Sequence, residues 1–289
     1  MKDIAIEGIK KSGDTSPIDE IRGVGGGDIN HAFYAKTKEK AYFVKVNKRV
    51  PPHFFESEAE NLKLIRETGA IAVPDVHYYD RPQNLEPAAM VMEWIEHGSG
   101  NASAELGERI AQMHRHTSEH YGLMRPTFVG ALDQPNEWRD SWVEYYGQFR
   151  LKPQLEYAIQ KNRVTSNRRS RLELFIEKLD EWIPSSPPAS LLHGDLWGGN
   201  WMTGQDNQPY IIDPSCLYGD PAFEIAFTEL FGGFSPAFYE AYAKTTPLPE
   251  DYEDRKPVYQ LFYLLVHLNM FGESYGGSVD QILKRYVQE

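Results

Sequence analysis

One segment in the second half of the chain concentrates side chains that could transfer a proton or hold a metal ion. It runs from Leu191 to Asn200 as LLHGDLWGGN, and a short apolar stretch that ends in Asp213 follows it. Phosphoryl transfer from ATP requires a carboxylate that accepts the proton of the attacking hydroxyl, and oxygen ligands that hold Mg²⁺ against the phosphates. The spacing predicts Asp195 as this base, with Asn200 and Asp213 as the metal ligands.

The same loop has a simpler interpretation, in which His193, Asp195 and Asn200 only cap turns of the backbone. The shorter pattern Asp-x-x-x-x-Asn occurs by chance in many proteins. The complete string, followed by an apolar strand that ends in aspartate, is far rarer, and this favours a catalytic loop. In that interpretation His193 supports the loop.

A lysine within an apolar strand is the second candidate. Lys45 lies in the stretch YFVKV, where a lone lysine is more often a solvated residue of an edge strand. The helix that follows carries Glu58, which could pair with Lys45 and hold its ammonium group against ATP phosphates. Glu56 and Glu60 are competing partners that helical spacing alone does not exclude, and any of the three could simply lie on a solvated face.

Three consecutive glycines, Gly25, Gly26 and Gly27, precede Lys45 and predict a turn, because glycines destabilise a strand interior. The N–H groups of such a turn can approach phosphate closely, although glycine-rich hairpins are also common without a ligand. The order along the chain is what indicates function: glycine turn, strand lysine, helix glutamate, His-x-Asp loop, strand aspartate.

Hydrophobic periodicity predicts the elements that position these residues. The first part of the chain reads as a strand-rich unit with helices at residues 4–10 and 54–68 and strands at residues 19–24, 31–37, 41–47, 76–80 and 88–95. The remainder reads as mainly helical, with a helix capped by Ser103 and further helices at residues 137–160, 167–182, 220–230 and 257–275. We therefore expect an α+β protein with an antiparallel-sheet lobe (residues 1–95) and a larger helical lobe (residues 96–289).

The composition excludes several classes of partner. The net charge of −12 argues against nonspecific binding of nucleic acid or of an anionic membrane, so bound phosphates require a local device such as a metal ion. No apolar run reaches about 18 residues, and the first residues lack the apolar core of a signal peptide. Cys216 is the only cysteine, which suits a reducing cytoplasm. We expect a cytoplasmic protein that is a monomer or a weak dimer.

Taken together, the motifs resemble the fructosamine kinase/ketosamine-3-kinase family, within the larger group of aminoglycoside-phosphotransferase and protein-kinase-like folds. They are spread over nearly the whole chain and read GGGDIN, FVK, LHGDLWGGN, IDP, YGD and PVYQL. The string HGDLWxGN is specific to this family, whereas HGD alone indicates only the larger group. The resemblance implies a two-lobed protein-kinase-like fold and transfer of the ATP γ-phosphoryl group to the 3-hydroxyl of a ketosamine. It also implies that the phosphorylated adduct falls apart and so repairs a glycated amine.

The resemblance repeats the roles inferred for the base, the metal ligands and the lysine–glutamate pair. It adds a hinge that meets adenine through backbone groups, formed by Glu93, Trp94 and Ile95. The sequence departs from protein kinases at Asp213-Pro214-Ser215, where they have Asp-Phe-Gly, and it lacks an Ala-Pro-Glu motif. Asp28 stands where some family members have a cysteine, so no thiol switch is expected there.

Two residues keep alternative interpretations. Trp197 either packs in the core or forms a platform for the sugar or amine of the substrate, since aromatic faces suit both. Asp220 either favours the dipole of the helix that it begins or, as the family resemblance implies, supports the catalytic loop. The rival functions are an aminoglycoside- or choline-type phosphotransferase of the same fold and a non-catalytic binding module.

Overall fold

The computed structural model describes residues 1–25 and 29–287, and its N-terminal part is built around one antiparallel sheet. The strands lie in the order β1-β2-β3-β5-β4, so β3 is central. They are β1 (Ile18–Val24), β2 (His31–Thr37), β3 (Ala41–Val50), β4 (Val76–Tyr79) and β5 (Glu86–Glu93). Lys45 is therefore on the central strand and not at an edge.

The two faces of this sheet are covered by different helices. Helix α1 (Lys2–Lys11) packs in a cluster with Val44 and Val46, whereas α2 (Phe54–Glu67) packs against the opposite face. Because successive strand residues point to opposite faces, Lys45, which lies between the two valines, is directed toward α2. The alternation of apolar residues along β3 thus decides which helix can supply a partner for the lysine.

The rest of the chain is mainly helical. Its helices are α3 (Ser103–Met113), α4 (Trp142–Tyr146), α5 (Lys152–Gln160), α6 (Ser166–Glu177), α7 (Pro221–Leu230), α8 (Pro236–Thr245), α9 (Tyr252–Phe271) and α10 (Gly276–Tyr286), and a π-helical turn (Gly147–Leu151) joins α4 to α5. Three two-stranded ladders complete it, namely β6 (Thr127–Val129) with β7 (Leu132–Gln134), β8 (Ser190–Leu192) with β11 (Leu217–Gly219), and β9 (Trp201–Thr203) with β10 (Pro209–Ile211). The core between α4, α7 and α9 is strongly aromatic, with Trp142, Tyr146, Phe223 and Tyr259 in mutual ring contact.

The predicted elements of the first 95 residues are confirmed to within a few residues at each end. The division into lobes at residue 95 stays a prediction; the last strand of the sheet ends at Glu93 and α3 begins at Ser103. Within the part of the chain that the structure describes, none of the helices is both long and apolar enough to cross a bilayer.

Several predictions for the helical part were wrong in detail. The helix expected at residues 137–160 begins only at Trp142, capped by Ser141, and α9 begins at Tyr252 with Pro257 inside it. Proline lacks one N–H, but the buried apolar face of α9 outweighs this loss. Ser103 is the first helical residue and not the cap. Helices α8 and α10 and the β6–β7 hairpin were not predicted. Helix α8 buries only two residues and the hairpin strands have three residues each, whereas α10 does carry an apolar stripe at helical spacing (Val279, Ile282, Leu283 and Tyr286).

Candidate active site

Lys45 lies at the centre of an ion-pair cluster between the two lobes. Its buried Nζ donates to Glu58 Oε1 at 2.7 Å and to Asp213 Oδ1. Burial alone would lower the pKa of Lys45, but the charges of Asp213 and Glu58 outweigh burial and hold the pKa above its ordinary value. The lysine therefore stays protonated and links a helix of the first lobe to a loop of the second.

The structure selects Glu58 from the three glutamates that the sequence left open. Glu56 pairs with Arg81 at 3.2 Å and Glu60 lies 3.9 Å from Arg125, both at the surface. A sequence signal for this choice exists, since Glu58 lies between Phe55 and Leu62 at helical spacing and so shares the buried face of α2.

Asp213 follows β10 in a left-handed backbone conformation, with φ of 57°. Such a conformation costs a non-glycine residue on the order of 1–3 kcal/mol and persists only where its surroundings hold it. Ile212 N donates to Asn200 O at 3.0 Å, His193 Nε2 donates to Ile212 O at 2.8 Å, and Ser215 N donates to His193 O at 2.8 Å. These bonds fix the turn that presents the Asp213 carboxylate to Lys45.

The loop after β8 brings Asp195 and Asn200 together. Asn200 Nδ2 donates to the Asp195 carbonyl at 2.8 Å and to Asp195 Oδ2 at 3.2 Å, so the amide nitrogen and not Oδ1 of Asn200 makes these bonds. Burial, reinforced by the charge of Asp213, raises the pKa of Asp195 to about 7. A carboxylate with such a pKa is a stronger base than an exposed aspartate, and this suits general-base catalysis near neutral pH.

His193 is a structural residue of the same loop. Its Nε2 donates to the Ile212 carbonyl, and its Nδ1 accepts from the Asp195 N–H at 3.2 Å. This pattern requires the neutral tautomer with the proton on Nε2, and burial lowers the pKa of His193 in agreement with it. The predicted supporting role of His193 thus corresponds to its bonds on both sides of the loop.

Below the loop, a buried glutamate holds Gly194. Glu224 Oε1 accepts from Gly194 N at 2.7 Å, Glu224 Oε2 bonds His114 Nε2 at 2.8 Å, and Tyr263 donates to Gly194 O at 3.0 Å. Gly194 has φ of 81°, and a Cβ there would come 1.9 Å from the Ser215 carbonyl oxygen. Only glycine therefore fits at this point of the loop.

The expectation that Asp220 supports the catalytic loop was wrong, because the hydrogen bonds of its side chain go to α7 and α9 and not to that loop. Asp220 accepts from Ala222 N at 2.9 Å as the N-cap of α7, and its other oxygen accepts from Tyr259 at 2.6 Å. Glu224, one turn further along the same helix, makes the bond to the loop instead. Both acids lie on the same face of α7, so the sequence alone did not distinguish them.

At the predicted hinge, β5 ends at Glu93 and the ring of Trp94 packs edge-on against Tyr34. The N–H groups of Glu93 and Trp94 donate to Asp75 O at 2.7 Å and Ala41 O at 3.4 Å. An adenine contact through the hinge therefore falls to carbonyl groups or to Ile95. Among the predicted phosphate-binding glycines, Gly25 has nothing within 4 Å of an added Cβ, and Gly26 and Gly27 lie outside the described residues.

Trp197 lies at the surface of the loop. Its side chain is 42% exposed, which rules out the core-packing interpretation. Its ring lies so close to Gly199 that an added Cβ there would be 2.3 Å away, and a Cβ on Gly198 would be 2.9 Å from Gly233 Cα. The two glycines thus make room for the indole and for a neighbouring loop, and the outer face of the ring is left to solvent.

The oxygen donors fit the magnesium ion that the sequence implies. Asn200 Oδ1 and the Asp213 carboxylate offer oxygen atoms, the donor type that Mg²⁺ prefers. Among residues 1–25 and 29–287, no three His, Cys, Asp or Glu side chains cluster as a self-sufficient metal site. Mg²⁺ generally takes one or two protein carboxylates and completes its shell with phosphate oxygens and water.

The two lobes, the paired lysine and the Asp195 loop define a phosphotransferase with a protein-kinase-like fold. A thermostable mutant of an aminoglycoside phosphotransferase, solved with ADP and hygromycin B, matches 99% of this chain and 99% of its own with a TM-score of 0.64. Its sequence is 15% identical, so this likeness shows the fold alone. The predicted fold class is confirmed.

The chain belongs to the fructosamine kinase family, since the family model described as "Fructosamine kinase" matches residues 1–289. The "Probable ketoamine kinase" of Enterococcus faecium is 39% identical over 90% of this chain and 93% of its own. The chloroplastic "Protein-ribulosamine 3-kinase" of Arabidopsis thaliana is 35% identical over 98% and 87%. The crystal structure of a "putative fructosamine-3-kinase" from Thermobifida fusca covers 98% of both chains at a TM-score of 0.87 and 25% identity. This protein is thus an ATP-dependent phosphotransferase that acts on a hydroxyl group.

Proposed function

We propose that this protein transfers the γ-phosphoryl group of Mg·ATP to the 3-hydroxyl of ketosamines, the sugar–amine adducts that form by glycation. The observation that carries the proposal is the convergence of Lys45, Asp195, Asn200 and Asp213 between the lobes of a chain from the fructosamine kinase family. Two relatives bear the names ketoamine kinase and protein-ribulosamine 3-kinase, which favours a ketosamine over an aminoglycoside or choline.

In the proposed mechanism, Asp195 accepts the proton of the acceptor hydroxyl as its oxygen forms a bond to the γ-phosphorus. The bond between the γ-phosphorus and the β–γ bridging oxygen breaks, and ADP leaves with that electron pair. Lys45, held by Glu58, neutralises charge on the ATP phosphates. When bound, Mg²⁺ supplies further charge neutralisation, with Asn200 and Asp213 as its protein ligands.

The sugar or amine of the acceptor binds against the exposed face of Trp197. This residue lies two positions after the base, so a substrate on its ring can present a hydroxyl to Asp195. Adenine binds at the hinge of Glu93, Trp94 and Ile95, and the glycine turn approaches the phosphates. We further propose that the reaction removes glycation adducts in the cytoplasm. The protein acts as a monomer or weak dimer and does not bind nucleic acid.

The decisive experiment measures ADP release from Mg·ATP with synthetic ribulosamine and fructosamine, and with an aminoglycoside and choline as alternatives. We expect turnover with at least one ketosamine and a product phosphorylated at the 3-hydroxyl by NMR. The Asp195→Asn protein serves as the control for contaminating kinases. Rapid phosphorylation of the aminoglycoside or of choline, with none of either ketosamine, would refute the proposed acceptor.

A further inference from the structure

A buried chain of polar side chains runs from the β6–β7 hairpin to the turn that carries Asp213. Gln134 Nε2 donates to Thr127 Oγ1 and to Ser215 Oγ, both at 2.9 Å. Asn136 Nδ2 donates to the same Thr127 hydroxyl at 3.1 Å. All four side chains are buried, so their hydrogen bonds are made without competition from bulk water.

The far end of this chain is a buried cation. Arg150 lies in the π-helical turn and donates to Asn136 Oδ1 at 2.8 Å, to Phe149 O at 2.8 Å and to Pro135 O at 3.1 Å. Its guanidinium lies over the ring of Tyr145, 4.8 Å from the centroid. The arginine thus ties Asn136 and the Pro135 carbonyl, both just after the hairpin, to the π-helical turn. Its three acceptors are neutral carbonyl-type oxygens, and the planar guanidinium fixes the direction of each bond.

The near end of the chain is the Asp213 turn. Ser215, the acceptor of the Gln134 bond, follows Asp213 by two residues, and Asn61 of α2 donates to the intervening Pro214 O at 3.1 Å. The hairpin also contacts α2 directly, because Phe128 packs on Phe54 with ring centroids 4.8 Å apart. Hairpin, α2 and turn therefore form one packed unit around Lys45 and its two carboxylate partners.

We propose that Gln134 is a positioning residue for Asp213, acting through Ser215. The left-handed backbone at Asp213 needs restraint from its surroundings, and the side chain of Ser215 is anchored to the hairpin. By holding Ser215, the hairpin fixes the direction in which the Asp213 carboxylate faces the phosphates and their metal ion. The inference rests on the proposed function, in which Asp213 is a magnesium ligand.

The test measures binding of a non-hydrolysable ATP analogue by calorimetry, with and without Mg²⁺. The ratio of the two Kd values gives the metal dependence of binding, which Asp213 controls and which is independent of turnover. Gln134→Met keeps the size of the side chain and removes its hydrogen bonds, and Ser215→Ala removes the same bond from the other side. Asn269→Leu is the matched control, because Asn269 is also a buried amide with two donated bonds of 2.9 Å, but to Gln154 on α5.

We expect Gln134→Met to lower the metal dependence about fivefold, as for the loss of one hydrogen bond, with metal-free binding unchanged. The double variant should be no worse than either single variant, since all three lack the same bond. Asn269→Leu should lower Tm but leave the ratio unchanged. The inference is overturned if the ratio survives in Gln134→Met, or falls equally in Asn269→Leu. If Gln134→Met does not fold, the inference is overturned by a Ser215→Ala protein whose ratio of Kd values with and without Mg²⁺ equals that of wild type. Wild-type protein without any metal dependence would instead contradict the proposed function.

Discussion

Replacing Asp195 with asparagine separates the proposed chemistry from binding. The carboxylate accepts one side-chain hydrogen bond, from Asn200 Nδ2 at 3.2 Å, and an asparagine can accept the same bond through its amide oxygen. Because burial raises the pKa of Asp195, its ionised form destabilises the folded protein near neutral pH, so we expect the neutral asparagine to keep or raise the free energy of unfolding. An amide does not accept the hydroxyl proton, so kcat should fall by about 10²–10⁴-fold, or about 3–5 kcal/mol in the barrier. Nucleotide affinity should be unchanged, because Lys45 and Glu58 lie on the other lobe.

The assay combines kcat from coupled ADP release on a ribulosamine, the Kd of an ATP analogue by calorimetry, and thermal melting. Asp140→Asn is the matched control, since its side chain is 91% exposed and the same chemical change there should alter nothing. A kcat for Asp195→Asn within a few-fold of wild type would refute the assignment of the base. A loss of nucleotide binding in parallel with kcat would show that Asp195 acts by holding the site together.

Three further predictions address the metal, the acceptor and the stability of the helical lobe. Asp213→Ala should abolish magnesium-dependent turnover in a Mg²⁺ titration, and an unchanged titration curve would contradict its role as a ligand. Trp197→Ala should raise KM for the ketosamine more than for ATP in steady-state kinetics, because a stacking contact exists in ground and transition states alike. Equal changes in the two KM values would contradict the proposal that the Trp197 ring binds the sugar or amine of the substrate. Arg168→Met should lower the free energy of unfolding by about 2 kcal/mol with kcat intact, whereas Arg169→Met, in an exposed pair, should cost about 0.5 kcal/mol or less in urea unfolding. Arg168 donates hydrogen bonds to Glu273 and Asp280 and so lowers the pKa of both carboxyl groups. Its contribution to the free energy of unfolding should be present above a pH of about 4 and be lost as the pH falls further. A difference in unfolding free energy between wild type and Arg168→Met that does not depend on pH would contradict this.

The elements of the first lobe were predictable because each depends on a local period. The apolar stripe of α2 follows a helical spacing, and Val44 and Val46 alternate with Lys45 along β3. The helical lobe was less predictable, since α8 and α10 bury few residues and the hairpin strands are three residues each. Short elements of this kind form because the surrounding structure supplies their packing partners.

The sequence by itself determined the chemistry: which residue types are present, their order, and the spacing from Asp195 to Asn200 within one loop. The tertiary structure decided which distant groups meet. Lys45 bonds Asp213 across 168 residues, Gln134 bonds Ser215 across 81, and Gly194 bonds Glu224 across 30. Such contacts depend on how helices and lobes dock, which is set by the summed packing of many side chains and leaves no local period in the chain. For this reason the loop motif could be recognised in the sequence, whereas the bonds of Glu224 to Gly194 and of Gln134 to Ser215 could not.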